Sequence, residues 1–177
     1  MKIPKRFLFA SVLFTALTAN ANSKELALTI NIPQLNVAEY HSPYLAVWVE
    51  SEARKSTQIA IWYDVNMADN EGQEWLKDIR QWWRRGGRSL ELPYDGLTSA
   101  TKGPGSHQIN IDLNADNLKA LTPGNYKLRI EAAREVGGRE LIELPLTLPL
   151  DTSILPISKS GKSELGEISL SLLNKEL

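Results

Sequence analysis

Apolar residues fall at alternate positions from Glu25 onward. Leu26, Leu28, Ile30 and Ile32 share one face of an extended segment that Pro33 ends, the period of a half-buried strand. The same alternation predicts a strand over Tyr44–Glu50, with Leu45, Val47 and Val49 on one face. Another is predicted over Thr57–Asp64, with Ile59, Ile61 and Tyr63 inward. The charged or small residues Ser51–Ser56 between these two read as a hairpin connection. Between Gly72 and Arg85 the period changes. Trp75, Ile79, Trp82 and Trp83 stand at i, i+4, i+7 and i+8, the apolar stripe of an amphipathic helix, with Leu76 on its flank. Gly86-Gly87 stops that helix. Alternation returns at Gln108–Leu113, Leu121–Glu131, Glu140–Leu148 and Gly166–Leu172, while residues 151–164 are polar and irregular. Val136-Gly137-Gly138 predicts a hairpin turn, and Pro145 marks its strand as an edge or a bulge. About six or seven short strands with tight turns describe an all-β, antiparallel β-sandwich. The inserted Trp-rich helix is expected as a lid over the end of the sheet core, or as an aromatic wall for a flat ligand.

The N-terminus adds an address. Lys2, Lys5 and Arg6 precede the apolar run Phe7–Leu17, and Ala19-Asn20-Ala21 follows as a small-x-small cleavage site. Residues 1–21 therefore read as a secretory signal peptide cleaved after Ala21, too short for a membrane span. In a bacterium the mature protein, residues 22–177, is periplasmic, and its length suits one domain. The leader holds three of the 20 Lys and Arg, so 17 remain against 21 Asp and Glu, a net charge of −4. Such a balance lacks the basic footprint of a nucleic-acid binder. The sequence has no cysteine, which excludes disulfides, thiolate catalysis and Cys-ligated metal. Phosphate-binding loops and nucleophile elbows are also missing, so nothing points to a hydrolase.

The candidate chemistry lies in the polar stretch Tyr94–His107, between the Trp-rich pattern and a strand. Its small residues suit a surface loop. Within it, Asp95-Gly-Leu-Thr98-Ser99-Ala100-Thr101 resembles the Asp-x-x-(Ser/Thr)-(Gly/Ser)-Ala-Thr signature of extracytoplasmic flavoproteins. An FMN transferase of the ApbE type links FMN through its phosphate to the last Thr of that signature, here Thr101. A phosphoester needs an exposed hydroxyl with small neighbours, and Ser99, Ala100 and Gly103 leave that room. Asp95 would hold the transferase's metal or fix the turn, and Trp82 and Trp83 would flank the ring. His107 lies near enough in sequence to touch the flavin; it and His41 otherwise read as ordinary loop residues. Arg80, Arg84, Arg85 and Arg88 suit either the helix C-terminus or a flavin phosphate. Farther on, Leu121-x-Pro-Gly-x-Tyr126 resembles the tyrosine corner of immunoglobulin-like domains, whose Tyr hydroxyl bonds back to the preceding turn.

Taken together, these motifs, with Tyr44–Glu50, Ile61-Trp-Tyr63, Trp75-x6-Trp82-Trp83-Arg84 and Gly103-Pro-Gly105, make the mature chain similar to a family of small predicted periplasmic proteins of unknown function. Members are typically encoded near PepSY-type membrane reductases and flavin-attachment machinery. The resemblance implies an immunoglobulin-like β-sandwich carrying covalent FMN and relaying electrons outside the cytoplasm, with an ApbE-type transferase and a PepSY-type reductase as partners. It would be an electron carrier and not a stand-alone enzyme. The alternative is an unmodified binding or interaction module, such as one serving metal or haem uptake.

Overall fold

A computed structural model describes residues 25–173. The expected signal peptide lies outside them. Strands β1 (Glu25–Ile32), β5 (Gly105–Asp112), β8 (Ile157–Ser160) and β9 (Glu167–Leu172) form an antiparallel sheet in the order β5-β1-β9-β8. Strands β2 (Tyr44–Ser51), β3 (Ser56–Tyr63), β4 (Thr98–Ala100), β6 (Gly124–Ala133) and β7 (Arg139–Leu148) form a second sheet, ordered β4-β3-β2-β6-β7. Its pairs are antiparallel apart from β3 and β4, which run parallel.

Alternation explains how the sheets meet. Leu26, Leu28, Ile30 and Ile32 of β1, with Ile168 and Leu170 of β9, pack against Leu45, Val47 and Val49 of β2 and Leu128 and Ile130 of β6. All are buried, so cutting one large aliphatic to alanine costs about 2–5 kcal/mol. The expected inward face of β3 is corrected by a bulge. Val47 pairs with Ala60 but Trp48 pairs with Gln58, which leaves Ile59 as the extra residue. Beyond it, Ala60 and Trp62 face the inter-sheet core, while Ile61 and Tyr63 point to the other face of the sheet. Pro145 sits in β7, which is an edge strand, where a missing N–H costs no ladder bond on the open side. The Tyr126 hydroxyl donates to the Thr122 carbonyl at 2.7 Å, the bond expected of the Leu121–Tyr126 corner.

The outer face of the five-stranded sheet has its own apolar layer of Ala46, Trp48, Ile61, Tyr63 and Ala133, covered by Leu76, Ile79 and Trp82. The cover thus lies on a sheet face and not over the end of the core. Nor is it the continuous helix that the spacing predicts. A 3-10 stretch, Ala68–Asp78, is kinked at the left-handed Asp69 and Asn70, breaks at Ile79 (φ −77°, ψ 73°) and gives way to α1 (Arg80–Arg84). The break lets Ile79 and Trp82 both reach the sheet, while Trp75 is left 41% exposed. Gly86-Gly87 ends the helix as expected, and Gly87 is needed for packing too: a Cβ there would lie 2.6 Å from the Trp82 ring. A further helical turn, α2 (Asp116–Lys119), follows β5. Among the described residues no helix is long and apolar enough to cross a membrane.

Candidate functional site

The hydroxyl-rich motif is a sheet edge and the turn that feeds it. Thr98 and Leu97 donate their backbone N–H to the Tyr94 carbonyl at 3.0 and 3.2 Å, and Tyr94 N–H donates to Thr98 Oγ1 at 2.9 Å. Gly96, at φ +75°, closes this turn, and Asp95 is exposed at its tip. Thr98, Ser99 and Ala100 then pair with Ile61, Trp62 and Tyr63 as β4. Thr101 closes the ladder by donating its N–H to the Tyr63 carbonyl at 3.2 Å. From there the chain leaves the edge of one sheet and enters β5 at the edge of the other. Thr101 is therefore fixed at its backbone yet only half-buried.

Thr101 lines a cleft of about 480 Å³, together with Tyr40, Tyr44, Asp64, Trp75, Arg134 and Glu135. The walls come from the approach to β2, the connection after β3, the 3-10 segment and the β6–β7 hairpin. Tyr44 and Tyr63 stack at a tilt, with centroids 6.3 Å apart. Burial pushes the Tyr44 phenol above its ordinary pKa, against a hydrogen bond to the Asp64 backbone that pulls it down. Tyr40 is raised for the same first reason, opposed by the Arg134 charge. Both phenols stay neutral near pH 7. His41, also on the cleft, has its ring nitrogens 3.2 Å from Glu39 and 3.6 Å from Glu135. Arg134 is occupied, with Nε 2.8 Å from buried Glu164. Among the described residues no three His, Asp or Glu side chains gather as metal ligands would.

The other expected site residues lie elsewhere. Trp82 is fully buried; its indole N–H donates to Gln58 at 2.6 Å, so it cannot flank a ligand in the cleft. Trp83 is half-buried against Trp82, with centroids 6.1 Å apart, and does not line the cleft. His107 braces the loop from behind: Nε2 lies 2.8 Å from the Gly103 carbonyl, and the ring meets Trp62 edge-on at 5.9 Å. Of the arginines, Arg85 pairs with buried Glu50 at 3.1 Å. Its carbonyl also accepts the Ser56 hydroxyl, at the start of β3. Thr101 sits at the opposite end of β3, on the order of 23 Å away at the rise of a strand, so Arg85 cannot serve a phosphate there. Tyr40, Tyr44, Asp64 and Glu135 escaped sequence reading as a group because they come from three separate parts of the chain and share no motif.

No curated protein and no solved structure matches the chain. Residues 25–167 match the family described as a predicted periplasmic protein (DUF2271), a span from β1 to the start of β9. On that match the chain belongs to this family, and its compartment is the periplasm, as the leader pattern implied.

Proposed function

We propose that Thr101 is the attachment point of FMN and that the protein is a periplasmic electron carrier. The observation that carries the reading is the position of Thr101: held by its backbone at a sheet edge, half-buried, and on the rim of a cleft of ligand size. The fit of the surrounding residues supports it. A Cβ built at Gly103 or Gly105 would meet nothing within 4 Å, so the loop beside Thr101 is open at these positions. Asp95 is exposed on the same segment, where it can meet a transferase or its metal. Thr98 fixes the turn, and Ser99 and Ala100 pair with Trp62 and Tyr63 in the ladder that leads to Thr101.

Attachment forms one phosphorus–oxygen bond at Thr101 Oγ1. The hydroxyl proton leaves, and the bond from that phosphorus to the leaving group of the transferase's activated flavin donor breaks. Once bound, FMN supplies the redox chemistry. The protein supplies position, partial burial and the field of the cleft residues. An ApbE-type transferase and a PepSY-type membrane reductase are the partners this reading requires. We also read the sandwich as immunoglobulin-like, supported by the Tyr126–Thr122 corner bond.

Intact-mass measurement on chain co-expressed with an ApbE-type transferase tests the assignment. One FMN adduct is expected on the wild type and none on Thr101→Ala. An unmodified wild type, or an adduct that survives the substitution, defeats it.

A further inference from the structure

Trp75 is a cleft residue whose placement its own apolar stripe does not explain. It belongs by spacing to the stripe of Ile79 and Trp82, and both of those are fully buried. The break at Ile79 takes Trp75 out of the stripe and leaves it 41% exposed on the cleft that also holds Thr101. A large apolar ring half in water forfeits part of the favourable burial available to it. Its other notable neighbour is Lys77, whose ammonium lies 5.7 Å over the indole, a contact that leaves the side chain solvent-facing.

We infer that Trp75 is the stacking surface for the flavin ring carried by Thr101, the part the sequence assigned to Trp82 and Trp83. This rests on the reading of Thr101 given above. Two features of the cleft favour it. Its walls are aromatic, with Tyr40 and Tyr44 beside Trp75, and flat rings prefer offset or edge contact with such surfaces. Asp64, Asp78, Glu135 and His41 also line it, with His41 3.6 Å from Glu135 and Arg134 already paired with Glu164. With its one arginine engaged, the cleft offers a flat ring more than it offers a phosphate. The ring is thus drawn inward to Trp75, and the phosphate stays at the rim on Thr101.

The test uses full-length protein loaded by the transferase, with the adduct verified by mass and flavin emission measured per adduct. In the wild type the native emission should be strongly quenched relative to the denatured chain. Trp75→Ala should raise it several-fold and weaken the visible circular dichroism of the flavin band. Trp75→Tyr, which keeps an oxidisable ring, should preserve most of the quenching, and Trp83→Phe should change neither signal. If the wild type carries no adduct, the reading of Thr101 fails and this inference falls with it. If the adduct is present but Trp75→Ala leaves emission and dichroism unchanged, only the stacking role is overturned. A Trp75→Ala chain that takes up no flavin would assign the indole to recognition by the transferase, and would also overturn stacking.

Discussion

Val136 shows how far a single residue can depart from local preference. It stands at the tip of the β6–β7 hairpin with φ +52° and is 84% exposed, so no packing compensates its backbone. A β-branched residue in the left-handed region is strained, at a cost of roughly 1–2 kcal/mol. The sequence places this turn correctly at Val136-Gly137-Gly138, and the left-handed residue in it is Val136 and neither glycine. The glycines permit close approach: a Cβ on Gly137 would meet the Arg134 guanidinium at 2.5 Å, and one on Gly138 would meet Glu164 at 2.7 Å. Asn tolerates the left-handed region, so Val136→Asn should stabilise the fold by about 1 kcal/mol. A higher urea midpoint with an unchanged slope would verify it. A lower midpoint would mean that Val136 makes contacts its exposure does not suggest. Thr101 is a milder case: its backbone N–H closes the β4 ladder on the Tyr63 carbonyl, and its side chain stays half-buried on the cleft.

The helical cover is an element that its own sequence cannot hold in place. α1 has five residues, too few to repay helix nucleation, and no side chain within it caps its start. Glu131 of β6 does so from the sheet beneath. Its fully buried carboxylate accepts the backbone N–H of Gln81 at 3.1 Å and of Trp82 at 2.8 Å, and Arg139 lies 2.7 Å away. Glu131→Ala would leave two buried N–H groups and a cation without their acceptor, a loss of about 3–5 kcal/mol. Glu131→Gln keeps an acceptor oxygen and should cost less. Trp82 reports on the outcome: in the Ala variant its emission should shift to the red and near-ultraviolet dichroism should fall before the sheets unfold. The amphipathic spacing revealed that this stretch covers apolar surface. It could not reveal the break at Ile79, because the group that organises the helix start lies about fifty residues downstream. For the same reason Trp75 read as part of one stripe with Ile79 and Trp82, and is found apart from them on the cleft.

Across the whole molecule, long strands with clean alternation were legible, and the two shortest were not. β4 looked like loop because its three residues are small and polar, and β8 lies in a stretch that reads as irregular. Both take their form from a partner strand, β3 and β9, and not from their own pattern. The edges of the two sheets are joined in a comparable way. The connection between β8 and β9 folds around Glu140 of β7, whose carboxylate accepts the backbone N–H of Lys162, Ser163 and Leu165 at 2.6, 3.0 and 3.0 Å. Burial tends to raise the pKa of this carboxyl, but the three backbone donors and the Ser163 hydroxyl outweigh it and hold the value below the ordinary 4.5. The charged form is thus favoured by folding. Its contribution is complete above the ordinary glutamate range, declines as pH falls through 4.5 toward the lower folded value, and is absent below that. Glu140→Gln should destabilise the protein at pH 7 and make the loss between pH 5 and the acid limit shallower than in the wild type. Urea midpoints measured at intervals from pH 7 to pH 3 will show it. Parallel curves for the two proteins would mean that the join between the sheets does not depend on the charge of Glu140.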